Sequence, residues 1–372
     1  MDVVIIGGGL AGLCAALDLR HHHYTVTLVE RQQYPFHRVC GEYVSNEVLP
    51  YLHRLGVDPT PLAPAHLTEF QLSSPGGRLL SAPLDLGGFG VSRYQLDYFL
   101  YQAAVAAGVT VLQKATVTAV ALDAAHDEQT VELADGRHLR ARVVLGAYGK
   151  RSTLDRHLHR PFFTRRSPYL GVKYHVRYPA LARHVIALHN FADGYAGISA
   201  IEEDKYCFCY LTTRRNLKAH GTLAQLEARV LARNPRLQHI LEHAEVLYPQ
   251  PEVINEISFA PKTCVENHVL MCGDAAGLIT PLCGNGMAMA IHGAHLAATQ
   301  AAAFLSGRVN RLGMEAAYQR AWHQQFNNRL RVGRTVQGLF GQPLLSEIVV
   351  NGLRLWPGAV QALMRRTHGT AF

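Results

Sequence analysis

The first 31 residues constrain the fold more than any other stretch. "MDVVIIGGGLAGLCAALDLRHHHYTVTLVER" passes from a short apolar run, Val3 to Ile6, through three consecutive glycines into a helical stretch, then into a second apolar run ending at Glu30. A continuously apolar run of this length is a strand buried on both faces, as in a parallel sheet covered by helices. Gly7, Gly9 and Gly12 have the spacing GxGxxG. The first permits the tight turn, the second lets the backbone approach a pyrophosphate, and the third lets helix pack closely on strand. The phosphates would sit on the helix N-terminus, where free N–H groups and the macrodipole favour anions. Glu30 lies about 20 residues beyond the turn, where a carboxylate accepts ribose hydroxyls and repels a 2′-phosphate. The site therefore suits FAD or NAD rather than NADP, and Arg31 and Arg38 close behind Glu30 complete the candidate set at this end.

A second glycine turn separates those two nucleotides. "VLMCGDAAG" is an apolar strand, Val269 to Cys272, running into Gly-Asp and small residues, and "PLCGNGMAMA" then opens a helix. A simple NAD dehydrogenase needs no second cradle so far downstream, whereas an FAD protein does. Between Asp274 and Arg308 lie 33 residues without a charge. The stretch from Gly286 to Leu305 is long enough for a membrane span. Its His292, His295 and Ala-rich content, and the Pro281 and glycines before it, point instead to a cofactor-contacting turn and a buried helix.

With "GGGLAG", "RVCGEYVS", "VSRYQLDYFL" and "GDAAGLITPLCGNG" in hand, residues 1 to 310 resemble the FAD-dependent oxidoreductases of the p-hydroxybenzoate hydroxylase fold. Within them the chain is most similar to the geranylgeranyl reductase-like group, which includes the FixC-type dehydrogenases. The resemblance implies an α/β protein with a Rossmann-like FAD-binding domain of the GR2 type, an inserted β-rich substrate domain and a C-terminal helical tail. The expected boundaries are 1–65, 92–155 and 262–308 for the FAD-binding domain, 66–91 and 156–261 for the substrate domain, and 309–372 for the tail. By position, Asp274 would bind the ribityl chain and Arg93 the phosphate or ribityl region. Gly284, Asn285 and Gly286 would begin a helix aimed at the pyrimidine end of the isoalloxazine, where its N-terminus stabilises charge on reduced flavin.

The chain departs from that family at two places. "VVLGAYGKRSTLDR" puts Tyr148 where the second fingerprint has an Asp associated with the pyrophosphate and with access of the nicotinamide donor. Either Arg151 and Ser152 take over its contacts, or another protein replaces NADH or NADPH as electron donor. In "HRVCGEYVS", Cys40 and Glu42 are the candidate catalytic residues. Cys40 would face substrate or gate the flavin, the alternative being a packed small side chain. Glu42 would donate a proton if desolvation raises its pKa, or simply pair with Arg38. Flavin-dependent halogenases need a Lys early in the chain and a Trp-x-Trp-x-Ile-Pro segment; the first Lys here is Lys114, and the tryptophans are Trp322 and Trp356.

The rest of the sequence adds context. At 372 residues the chain exceeds what one core usually holds. Four strand-like segments between 169 and 213 form the expected substrate sheet, with Tyr174, Phe191, Tyr195, Phe208 and Tyr210 as candidate pocket or core residues. Seven cysteines without a CxxC pair argue against a disulfide framework, and a start almost directly on a strand leaves no signal peptide, so cytoplasmic residence is expected. "HHH" at 21 to 23 and the pair Cys207 and Cys209 lack metal-site spacing, and no metal is expected. The net charge of +8 is concentrated: residues 307 to 372 hold nine Arg against Glu315 and Glu347. Met314 to Phe340 reads as one long helix with Tyr318, Trp322, Phe326, Val332, Val336 and Phe340 on one face and Arg320, Arg331 and Arg334 opposite; Arg329 breaks the pattern. That helix is expected to cap the substrate lobe. Its basic face suits peripheral contact with an anionic membrane or an acyl-carrier protein, with no nucleic-acid partner.

The resemblance to the reductase group implies an FAD-dependent oxidoreductase acting on a hydrophobic isoprenoid, lipid or polyketide-like small molecule by C=C reduction or dehydrogenation. The alternatives are hydroxylation with O2 through a flavin C4a-hydroperoxide, or flavin binding without turnover.

Overall fold

The computed structural model describes residues 1–280, 284–339, 342–367 and 369–372. The expected turn at Pro281 to Cys283, and Phe340 of the expected tail helix, lie outside them.

The two opening apolar runs are parallel neighbours, Val3–Ile6 beside Val26–Val29, and all eight residues are buried. The sheet extends to Thr110–Leu112 on one side. On the other side come Val143–Gly146, then Val269–Met271, all parallel, with Val265–Glu266 antiparallel at the edge. Gly7 adopts φ +104 at the end of the first strand, and a Cβ there would lie 2.5 Å from the Ala147 carbonyl oxygen. A Cβ on Gly12 would lie 1.9 Å from the Gly7 carbonyl oxygen, so the first helix, Leu10–His21, can seat on the strand only with glycine at that contact.

Within the uncharged run after Asp274 the described residues form a 20-residue helix, Gly286–Leu305. Ala294, Ala297, Ala298 and Ala301, one helical face, are wholly buried in the core that also holds the first helix. Small side chains there let the two helices approach closely over the sheet. Among the described residues no helix is long and apolar enough to cross a membrane.

A second sheet of nine strands carries the four segments expected between 169 and 213, here Tyr169–Arg177, Val185–Phe191, Gly194–Ala200 and Tyr206–Thr213. Ala65–Ser73 and Leu79–Gly90 join it, and its far edge is Tyr43–Ser45, paired antiparallel with Gly88–Gly90. The segment assigned to the FAD-binding part thus contributes a strand to the other sheet, which ties the two layers together beside Glu42. A separate three-stranded sheet spans Val117–Asp123, Glu128–Leu133 and His138–Ala141.

The long tail helix, Arg311–Leu339, does not sit where expected. Tyr318, Trp322 and Phe326 pack into the FAD-side core, and the Tyr318 hydroxyl donates to the Met271 carbonyl. Among the described side chains of this helix, Val332, further along, is the one that reaches the cluster under the large sheet. Arg329, the residue that broke the helical pattern, is buried and faces Glu47 at 3.7 Å. Two shorter helices, Pro343–Leu355 and Pro357–Thr367, complete the tail.

Two buried histidines contribute to the acid response. Burial holds His189, whose Nδ1 is 2.9 Å from the Ser73 hydroxyl, down to about 3, and burial together with Arg329 holds His292 there too, against an ordinary 6.5. The unfolded chain protonates both near their ordinary value and the folded chain does not, so stability falls as pH drops from about 6.5 toward 3. Thermal melts between about pH 7.5 and pH 4 should show Tm decreasing, with a shallower slope for His189→Gln.

Candidate active site

Because parallel strands end on the same side, the turns after Ile6 and after Met271 open on one edge of the sheet with a single strand between them. A cavity of about 1270 Å³ runs along that edge, lined at one end by Gly7, Gly9, Glu30 and Arg31 and further along by Gly273, Asp274, Gly284 and Gly286. Both helices that point into it lack a side-chain cap: Gly9 precedes the first helix and Asn285 the alanine-rich one. Two uncapped helix N-termini in one groove form a donor set that fits a dinucleotide with phosphates at one end and a charge-accepting ring at the other. Gly9 leaves open space at that turn, the nearest atom to a Cβ there being an Arg93 nitrogen at 3.4 Å. The residues present therefore fit FAD.

Acids and bases around this groove are matched. Glu30 is buried and accepts from Gly8 N–H at 2.8 Å, Gln32 N–H at 2.9 Å and the Arg38 guanidinium at 3.1 Å. Arg38 also binds Asp97 at 3.0 Å, and Arg93 grips the same Asp97 through two 2.7 Å bonds. Asp97, one turn after Arg93 on the helix Arg93–Ala106, orients both arginines; the i, i+4 spacing was readable, but its partner Arg38 was not. Arg31 is exposed on the cavity wall. Asn285 is fully buried and its amide meets Glu47, so at this turn the side chain serves the protein interior while the backbone faces the groove.

Tyr148 leaves no gap where the family pattern has Asp. Its hydroxyl donates to Asp155 at 2.9 Å, and Arg160, 2% exposed, bridges Asp155 to the carbonyls of Ala275 and Thr263. Lys262 donates to the carbonyls of Lys150 and Asp274, both at 2.8 Å, and burial lowers it to about 8. These contacts clamp the Asp274 turn, which lines the cavity, to the Tyr148 loop. Arg151 and Ser152 both line the cavity and are fixed there by other partners: Ser152 forms a capping box with Asp155, and Arg151 binds the Phe163 carbonyl and Glu256.

Glu42 behaves opposite to the condition set for a proton donor. It is wholly buried in a left-handed conformation, φ +55. Lys173 donates to one oxygen at 2.5 Å, His175 lies 2.6 Å from the other, and the Arg93 N–H adds a bond at 2.9 Å. Burial pulls its pKa upward, but Lys173 and His175 together outweigh that and bring it to about 2. Nor does it pair with Arg38. Lys173 and His175 were missed although the signal was present: two basic residues two apart, hence on one face, in an otherwise apolar strand. Cys40 is half-buried on the cavity wall, within hydrogen-bonding reach of Arg93, and its carbonyl accepts from the Cys207 thiol. Of the five aromatic candidates only Tyr195 lines the cavity; Phe191, Phe208 and Tyr210 pack against helices behind the sheet, and Tyr174 binds Glu227.

Two substitutions at the first turn should separate cofactor loss from fold loss. Gly9→Ala should keep the secondary structure but weaken FAD binding by about tenfold or more, while Gly12→Ala should fail to fold; flavin titration and circular dichroism check this. Glu42→Gln strands the buried Lys173 charge and should cost about 3–5 kcal/mol of stability in denaturant melts. A proton donor without structural duty would instead lose turnover alone.

A family model for the FAD binding domain matches residues 1–324. Digeranylgeranylglycerophospholipid reductase 1 of Methanococcoides burtonii is 23% identical over 91% of this chain and 83% of its own. A 3-amino-4-hydroxybenzoate 2-monooxygenase of Streptomyces platensis is 32% identical over 48% of each chain. The crystal structure of a flavoprotein/dehydrogenase from Cytophaga hutchinsonii superposes with a TM-score of 0.75 at 17% identity, covering 98% of this chain and 96% of that one. With the paired helix N-termini, the matched residues and these relatives, the chain belongs to the FAD-binding-domain family and is an FAD-dependent oxidoreductase.

Proposed function

We propose that the enzyme acts on a hydrophobic small molecule of isoprenoid, lipid or polyketide-like character, by C=C reduction or dehydrogenation. The observation that carries this reading is the far part of the cavity. Beyond the flavin turn its wall is made by Phe70, Leu72, Ile186, Leu188, Leu278 and Leu353, contributed by the large sheet, the flavin loop and the tail. Such a chamber gains affinity from apolar surface, while Ser199, Arg331 and Thr335 in the same lining are placed to orient a polar end group. The reductase relative, matched over most of both chains, supports the same choice.

FAD bound in the groove supplies hydride transfer and passes on reducing equivalents. The chain's own part is to hold and insulate. Glu30 and the two helix N-termini bind the nucleotide, the Tyr148–Asp155–Arg160 clamp fixes the Asp274 turn, and Cys40 faces substrate. Glu42, kept ionised by Lys173 and His175, acts as a buried positioning anchor for the Cys40 loop. NADH or NADPH is the proposed electron donor. Hydroxylation with O2 remains the second reading, favoured by the aromatic monooxygenase relative.

Anaerobic turnover of a detergent-dispersed polyprenyl substrate, after reduction by NADH or NADPH, is the expected outcome. Substrate-dependent oxygen uptake without anaerobic turnover would establish the hydroxylase instead. Ile186→Asn should raise KM for the apolar substrate by about tenfold while leaving the rate of flavin reduction unchanged.

A further inference from the structure

The helix Pro343–Leu355 has two apolar faces. One faces inward: Val349 and Leu353 line the cavity, and Val350 is fully buried. The other faces out, with Leu344, Ile348 and Leu355 exposed to 83%, 69% and 79%, and Trp356 at the helix end exposed to 75%. At ~100° per residue Leu344, Ile348 and Leu355 fall within about 40° of one another, and Leu353 lies on the opposite side. Four of the eleven exposed large apolar side chains among the described residues thus lie within one short stretch. A globular surface does not collect them without a partner.

The charge around this ridge identifies the partner's chemistry. The tail holds nine Arg and two Glu. Both acids are engaged: Glu347 accepts from the Ser74 hydroxyl and Gly76 N–H, and Glu315 is 2.8 Å from His268. Beside the ridge itself the exposed charges are basic: Arg354 lies next to Leu355, and Arg78 donates to Asn351 of the same helix at 3.3 Å. An exposed apolar ridge ending in Trp, within a strongly basic tail, suits the headgroup layer of an anionic bilayer.

We infer that the outer face of this helix, through Leu344, Ile348, Leu355 and Trp356, docks the enzyme on anionic lipid, while its inner face forms the chamber wall through which a lipid-dissolved substrate enters. The inference rests on the proposed apolar substrate. It names the surface and the route, which that reading alone does not.

The test uses the full FAD-loaded chain and vesicles of phosphatidylcholine with or without about one-third phosphatidylglycerol. Trp322 is buried, so a change in emission on binding reports Trp356. Co-sedimentation with the anionic vesicles at low salt, release by added salt, and a blue shift of Trp356 are expected. The triple variant Leu344→Ser, Ile348→Ser, Leu355→Ser should bind about tenfold more weakly or worse, with Tm and flavin content unchanged because all three side chains are exposed. No binding to anionic vesicles at low salt, binding unaffected by the triple variant, or unshifted Trp356 emission on bound vesicles would overturn the inference. Docking of an acidic acyl-carrier protein, lost in the triple variant, in place of vesicles would overturn it as well. Turnover of detergent-dispersed substrate reads the chamber without a bilayer, so failure of the docking surface and failure of the substrate reading give different results.

Discussion

The whole arrangement depends on the direction of five strands. Parallel strands present their carboxyl ends on a common edge, and each turn leaving that edge into a helix delivers free N–H groups there. Here the strands ending at Ile6 and Met271 are separated only by Val143–Gly146, although more than 260 residues of chain lie between them. Everything inserted between those strands, including the large sheet, can therefore approach a cofactor already held at both ends. The alanine face of Gly286–Leu305 is the packing counterpart of this geometry, because a bulkier face would lift the helix from the sheet and carry its N-terminus out of the groove.

What could be read from the sequence was what is local. A strand, a glycine turn and a helix within 20 residues follow from chain stiffness and sterics, and so does the second turn; Gly7, Gly9, Gly12, Glu30 and Asp274 could be placed without coordinates. The strands between 169 and 213 were legible for the same reason. The partners of charged groups were not, because they come from distant segments: Glu42 with Lys173 and His175, Arg160 with Ala275, Arg329 with Glu47. Nothing near Arg329 in the sequence says why an arginine belongs on an apolar helical face. The explanation is a carboxylate 282 positions away in the chain.

Those buried pairs share a role. Each ties a loop at the cofactor edge to an element on the far side: Glu42 links the Cys40 loop to the large sheet, Arg160 links the Asp274 turn to the Tyr148 loop, and Arg329 links the tail helix to Glu47 beside Asn285. A buried ion pair adds little net stability relative to a well-packed apolar pair, but breaking one partner is costly. Such pairs therefore fix position more than they add strength. The Tyr148 substitution fits this view, since the tyrosine hydroxyl completes a clamp with Asp155 and Arg160 at the position where the family pattern has an aspartate.

The last residues turn back onto the protein. Gly369 donates its N–H to Glu47, and the Phe372 ring stacks on His292 at 3.8 Å beside Tyr51. The Phe372 ring thus serves as a lid over one face of the His292 imidazole, and a small side chain in its place would let water reach a nitrogen that the folded protein keeps dry.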